Sequence, residues 1–193
     1  VTRFLWLRHG PTHQTAFTGW RDVSADLSDT AHVARVAALL PGDAVVVSSD
    51  LIRARATADA LAGPRLRLPD DPALREFHFG DWDGLHWSDV AARDPDLSRA
   101  YWETPGDVAP PNGESWNAAD ARIEAAVRRL AAAHAGGAVV VVAHFGTILT
   151  QVARAAGQTP AQALAQRIEP LSLTEIVLGA DGTRTLTAVN FRA

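Results

Sequence analysis

The chain has no cysteine, so disulfide staples and thiol catalysis are excluded, while nothing follows about compartment. Its first residue is not methionine, which leaves the native start open. No apolar run approaches the length of about 18 residues that would mark a membrane span. The N-terminus enters a strand-like segment at once, with no leader pattern before it, so a cytoplasmic location is expected. Positive charge is not in excess. A formal net charge of −4 argues against a broad nucleic-acid surface and leaves room only for a small cationic pocket. Repeats, low-complexity tracts and Gly/Ser linkers are missing as well. What remains is ordinary globular material: 193 residues, 47% hydrophobic and 21% charged. One domain spanning residues 1–193 is expected.

The first segment organises the rest. Arg3-Phe4-Leu5-Trp6-Leu7 has strand character and ends at Arg8-His9-Gly10-Pro11-Thr12. A buried strand fixes position, and the Gly-Pro break exposes the next backbone groups. Arg8 brings a permanent planar cation, and His9 a neutral nucleophile or proton carrier. A loop from Thr12 to Leu27 follows, carrying Gly19-Trp20-Arg21-Asp22. Trp20 reads as a core plug in preference to a lid anchor. Ser28 reads as a helix N-cap, with Val33, Val36, Ala37 and Leu40 on one apolar face.

Ala44–Val47 is a β-branched run expected to be a buried parallel strand, ending at Ser48-Ser49-Asp50. The helix after it buries Leu51, Ala54, Ala58 and Leu61. Arg53 and Arg55 lie in its first turns, where the helix dipole is already positive, and a bound anion would resolve that conflict. Leu66 and Leu68 suggest a short strand. The stretch from Leu74 to Gly84 then packs two glycines, three acids, a histidine and aromatics together. Glu76, a carboxylate among aromatics, is a candidate proton donor because desolvation raises its pKa. His78, Asp81, Asp83 and His86 could be read as metal ligands, but their spacing matches no standard site.

Residues 86–111 look like short helices, with Trp87, Tyr101 and Trp102 as a satellite cluster within a cap spanning 77–116. Asn112-Gly113-Glu114-Ser115 opens a long helix that buries Trp116, Ala119, Ile123, Val127 and Leu130 and ends near His134. Ala138–Ala143 is the clearest buried strand, and it ends at His144-Phe145-Gly146-Thr147, where another helix starts. Backbone N–H groups at such a start suit an oxyanion. The tail reads as an antiparallel hairpin at a sheet edge, 171–177 and 183–189 joined by Asp181-Gly182.

Strands alternate with helices, so an α/β sheet covered on both faces is expected, with ligands beyond the carboxyl ends of its strands. Arg8, His9, Arg53 and His144 all follow predicted strands, and Glu76 lies in a loop able to reach them. Such a cationic cup suits a phosphoryl group, which arginine binds in bidentate fashion.

Four motifs, in order along nearly the whole chain, resemble the histidine phosphatase superfamily, also called phosphoglycerate mutase-like. They are Arg8-His9-Gly10; Ser49-Asp50-Leu51-Ile52-Arg53-Ala54 with Thr57-Ala58; Leu74-Arg75-Glu76 with Gly80-Asp81-Trp82-Asp83-Gly84; and Val142-Ala143-His144-Phe145-Gly146. The resemblance implies a three-layer α/β/α sandwich with a mixed, mainly parallel sheet. It also implies phosphorylation of His9, proton donation by Glu76, and a phosphoryl group held by Arg8, Arg53 and His144. By the same resemblance the substrate is a small-molecule phosphate ester, and no cofactor or metal is needed. Thr15 stands where many members have Asn, Phe145 replaces a common Gly, and Asp83 a common Glu. Thr15, Phe145, Gly19 and Trp20 are taken as further substrate contacts. The compact chain favours phosphomonoester hydrolysis, as in the broad-specificity and α-ribazole phosphatase branch. Phosphoglycerate mutase-type transfer and a catalytically weak phosphate-binding module stay as alternatives. A homodimer is left open.

Overall fold

The computed structural model describes residues 1–193. In chain order, strand β1 (Thr2–Arg8) is followed by helix α1 (Thr30–Leu39), β2 (Val45–Ser48), α2 (Ile52–Ala62) and the short β3 (Leu66–Arg67). Two 3-10 turns, Pro72–Leu74 and Gly80–Trp82, lead to α3 (Trp87–Arg93), α4 (Pro95–Glu103) and the long α5 (Trp116–Ala133). Then come β4 (Ala138–Ala143), α6 (Phe145–Ala156), the short α7 (Pro160–Ala163), β5 (Leu173–Leu178) and β6 (Arg184–Phe191).

The six strands form one sheet in the order β3-β2-β4-β1-β5-β6. β4 runs parallel to both β1 and β2, β2 runs parallel to β3, and β5 pairs antiparallel with β1 and β6. The sheet is thus mixed and mainly parallel, as expected. Its central strands alternate their side chains between two cores. Phe4, Trp6, Val139 and Val141 pack with Ile123 and Val127 of α5 and Ile148 and Leu149 of α6. Leu5, Leu7, Val140 and Val142 pack with Val36 of α1 and with Ala54, Ala58 and Leu61 of α2. Apolar side chains on both faces explain why these strands read as continuous hydrophobic runs.

The register sets the site. Arg8 pairs with Ala143 across β1 and β4, so His9 and His144, one residue further on, leave the sheet side by side. Ser48 pairs with Val142, which puts Ser49 on the other flank of His144. The excursion from 77 to 116 closes on itself. Asp81 N–H donates to the Pro111 carbonyl and Glu114 N–H to the His78 carbonyl. Gly80 (φ +53) is required at this seam, because a Cβ there would stand 2.1 Å from the Pro111 oxygen.

Two local expectations are corrected. Asp29, not Ser28, caps α1, its carboxylate accepting from His32 N–H at 3.0 Å. The satellite cluster is built on Trp82, Val90 and Tyr101. Trp102 flanks it on the Phe17 ring, whereas Trp87 is 66% exposed. Trp87 opens a short surface helix whose inward position is taken by Val90.

Candidate active site

His9 is held before it meets any ligand. Its Nδ1 lies 2.7 Å from the Gly10 carbonyl, an acceptor only, so Nδ1 carries the proton and Nε2 keeps its lone pair. Gly10 is fixed in turn by its N–H, which donates to Thr57 Oγ1 at 3.0 Å. A side chain at Gly10 would stand 2.6 Å from Leu27 Cδ2. Burial, then the nearby Arg53 charge, lowers the His9 pKa to about 3, although the Gly10 carbonyl opposes this and Arg8 adds to it. The imidazole is therefore neutral at physiological pH.

His144 is fully buried at the N-cap of α6, its ring 5.1 Å from that of His9. Its Nε2 lies 2.6 Å from Ser49 Oγ, and its Nδ1 is buried without a partner. Burial first, then Arg53, keeps it neutral too. Arg53, 1% exposed, donates to the carbonyls of Arg21 at 2.8 Å and Gly19 at 2.6 Å, while its Nε is unpaired. Arg8 donates to the Ile168 carbonyl at 2.6 Å, and its Nε is also unpaired. The chain holds five buried side-chain polar atoms without a partner, and three are these nitrogens of Arg8, Arg53 and His144. Buried polar atoms are rarely left unmatched, so three of them on residues gathered about His9 mark a place for an anion.

Glu76 closes the site. Its carboxylate accepts from Phe77 N–H at 2.9 Å and Gly146 N–H at 3.1 Å. Burial nevertheless raises its pKa, against the pull of those bonds and of Arg53 and Arg8. Its backbone is clamped as well, the carbonyl accepting from Trp20 Nε1 at 2.8 Å and Arg122 Nη2 at 3.2 Å. Arg122 also reaches the carbonyls of Ala73 and Arg75 and pairs with Glu114 at 2.8 Å.

Arg8, His9, Arg53, Glu76 and Phe145 thus line one cleft of about 240 Å³, with His144 behind it. Of the other expected contacts, Thr15 is exposed and off the cleft, where Thr12, Gln14 and Thr18 stand instead. Gly19 and Trp20 are scaffolding. Gly19 N–H donates to Asp83 at 3.0 Å, and Trp20 is clasped between His78 and the Arg75 guanidinium as it braces Glu76. Trp20 is half-buried and belongs to none of the hydrophobic cores, so it is not the core plug expected of it. Arg55 is exposed. The dipole conflict at α2 is met from within the chain, since Asp22 accepts the Ile52 N–H at 2.7 Å. His78, Asp81, Asp83 and His86 go to separate structural bonds, and no set of three such side chains is placed to hold a metal ion. Asp22 and Arg122 escaped the sequence reading. Each acts on a partner some 30 or 46 residues away, and no periodicity marks such a reach.

The bifunctional protein Rv2228c of Mycobacterium tuberculosis is 34% identical over 98% of this chain and 54% of its own length. The chain thus spans about half the length of the first curated relatives it matches. YhfR of Bacillus stearothermophilus superposes with a TM-score of 0.90 at 25% identity, covering 100% of this chain and 98% of that one. A mycobacterial glucosyl-3-phosphoglycerate phosphatase, solved with inorganic phosphate, gives a TM-score of 0.85 at 30% identity, over 98% and 97% of the two chains. Solved neighbours also include α-ribazole phosphatases, and curated relatives include phosphatases and phosphoglycerate mutases. The family model described as histidine phosphatase superfamily, branch 1, matches residues 4–191, and with that span the chain belongs to this family.

Proposed function

We propose that the protein is a metal-independent phosphatase that hydrolyses small-molecule phosphate monoesters through a phosphohistidine, with residues 77–116 as a cap on a single domain. His9 Nε2 attacks phosphorus in line, displacing the alcohol. The Nε–H groups of Arg8 and Arg53 and the His144 imidazole bind the equatorial oxygens as charge moves onto them. His144 donates there from Nδ1 when Ser49 Oγ–H donates to its Nε2. Glu76, held protonated by burial, gives its proton to the leaving oxygen. As a carboxylate it then takes a proton from the water that attacks phospho-His9, releasing inorganic phosphate and restoring the acid.

The observation that carries this reading is the set of three unpartnered buried nitrogens around a histidine whose tautomer leaves Nε2 free. Hydrolysis is favoured over mutase transfer by the charge of the cleft. Its only cations are Arg8 and Arg53, which leaves none for a second phosphoryl group or a carboxylate.

The test is p-nitrophenyl phosphate turnover with alkaline quenching, which preserves a phosphohistidine. Wild type is expected to release phosphate and to trap an acid-labile phosphoryl group on His9. His9→Ala should lose turnover by about three orders of magnitude or more. Vanadate should inhibit and chelators should not. Full activity in His9→Ala would refute the reading. Isomer without free phosphate, from 3-phosphoglycerate and 2,3-bisphosphoglycerate, would replace it with the mutase.

A further inference from the structure

The cup takes one end of a substrate. The other end must lie where the cleft continues past Glu76, because the acid has to reach the leaving oxygen. There the cleft meets a second cavity of about 50 Å³. Its walls include Phe77, Tyr101, Trp116 and Leu164, and it shares Glu76, Phe79, Trp102 and Phe145 with the cleft. The proton donor therefore sits at the mouth of an aromatic annex.

No cation lines that annex. The ion pairs nearest the site are already closed: Arg75 with Asp50 at 2.7 Å, Arg122 with Glu114 at 2.8 Å, and Arg21 with Asp83 at 3.3 Å. A carboxylate or second phosphate on the leaving group would give up its hydration here and gain no partner. An apolar group would gain by leaving water against the rings.

Phe145 has a particular place in this arrangement. It is the first residue of α6, its ring faces the Arg8 guanidinium at 5.6 Å, and it borders both cavities. The annex, at about 50 Å³, is a small extension of the roughly 240 Å³ cleft. With Phe145 in place, a bulky ring system cannot extend into it.

We propose that the protein, acting through the phosphatase site described above, selects monoesters whose alcohol part is uncharged and apolar, such as aryl phosphates. Phe145 is the partition that limits the size of that part. The proposal rests on the hydrolytic reading and adds to it the class of leaving group.

The experiment measures kcat/KM of the full chain for phenyl phosphate, 4-carboxyphenyl phosphate and 1-naphthyl phosphate. The carboxylated phenol is the better leaving group, so chemistry alone would favour that ester. The pocket is expected to reverse the order by about tenfold or more. Phe145→Ala should raise the ratio of 1-naphthyl to phenyl phosphate about tenfold, with vanadate inhibition retained as proof of an intact cup. Trp102→Leu gives a second arm that does not disturb the core, since Trp102 is 41% exposed. It should lower kcat/KM for phenyl phosphate and leave the inhibition constant of inorganic phosphate in place. Equal use of the neutral and carboxylated esters, or an unchanged ratio in Phe145→Ala, overturns the selectivity while phosphate release keeps the phosphatase reading. A chain that hydrolyses none of the three and carries no phosphoryl group on His9 overturns both.

Discussion

Glu76 and His9 are both buried, yet burial pushes them in opposite functional directions. Desolvation disfavours the charged form of each, pushing the carboxyl toward its protonated form and keeping the imidazole unprotonated. Those are the states that an acid and a nucleophile need, and one physical cause supplies both. Glu76→Gln tests the acid. The amide keeps the shape but has no proton to give, so kcat for phenyl phosphate should fall about 10²- to 10⁴-fold. For p-nitrophenyl phosphate, whose leaving phenolate needs far less help, the loss should be much smaller. Equal losses for the two esters would mean that Glu76 orders the loop and transfers no proton. Arg8 and Arg53 differ from these two residues. Burial lowers their pKa, yet a guanidinium stays charged where an ammonium would not.

At the scale of elements, the first turn of α6 does several jobs at once. His144 is its N-cap, Gly146 N–H donates to Glu76, and Thr147 Oγ1 donates to the Arg75 carbonyl at 2.9 Å. Gly146 must lack a side chain here, because its Cβ would stand 2.5 Å from Glu76 Oε1 and 3.0 Å from the Phe77 ring. Alanine is the better helix former by about 1 kcal/mol, so Gly146→Ala has little reason to weaken the helix itself. It should instead displace the acid, lowering kcat for phenyl phosphate about 10- to 100-fold while vanadate inhibition persists. Chemical denaturation beside steady-state kinetics checks this, and a parallel fall in stability and vanadate affinity would point to general disruption. The same turn shows what a sequence can reveal. Val139–Val142 is legible as a buried strand because both its faces are apolar, and the His144 tip follows from its end. The Gln14-for-Thr15 exchange at the cleft is not legible. Thr12 to Leu27 forms no helix or strand, so no period says which side chains turn inward. His13 takes a positive φ of 56° just before them, and nothing in its neighbours announces that turn.

At the scale of the whole molecule, two neutral imidazoles buried side by side make stability depend on pH. A histidine in the unfolded chain titrates near 6.5, whereas folded His9 titrates near 3 and His144 well below its ordinary value. Between those limits the unfolded chain binds more protons than the folded one, so acidification favours unfolding. The contribution is fully present above pH 6.5 and is lost as pH falls toward 3, at up to about 1.4 kcal/mol per pH unit for each imidazole. Glu76 has the opposite sign. Its raised pKa makes the folded state hold a proton that the unfolded chain releases near 4.5, so its contribution shrinks as pH rises above that value. Asp50 and Glu124, whose pKa values are lowered with Arg75 and Arg184 among the causes, lose their contributions further into acid. The window from pH 6.5 to 5 therefore isolates the imidazoles on the destabilising side. Urea denaturation followed by circular dichroism should show a net drop in stability across it for wild type, the loss from the two imidazoles being partly offset by Glu76. The drop should be shallower in His9→Gln, which keeps a polar side chain of similar reach and cannot take up a proton. A wild-type slope equal to that of His9→Gln would mean that the buried imidazole accepts protons as readily folded as unfolded. The neutral nucleophile on which the hydrolytic mechanism depends would then be gone.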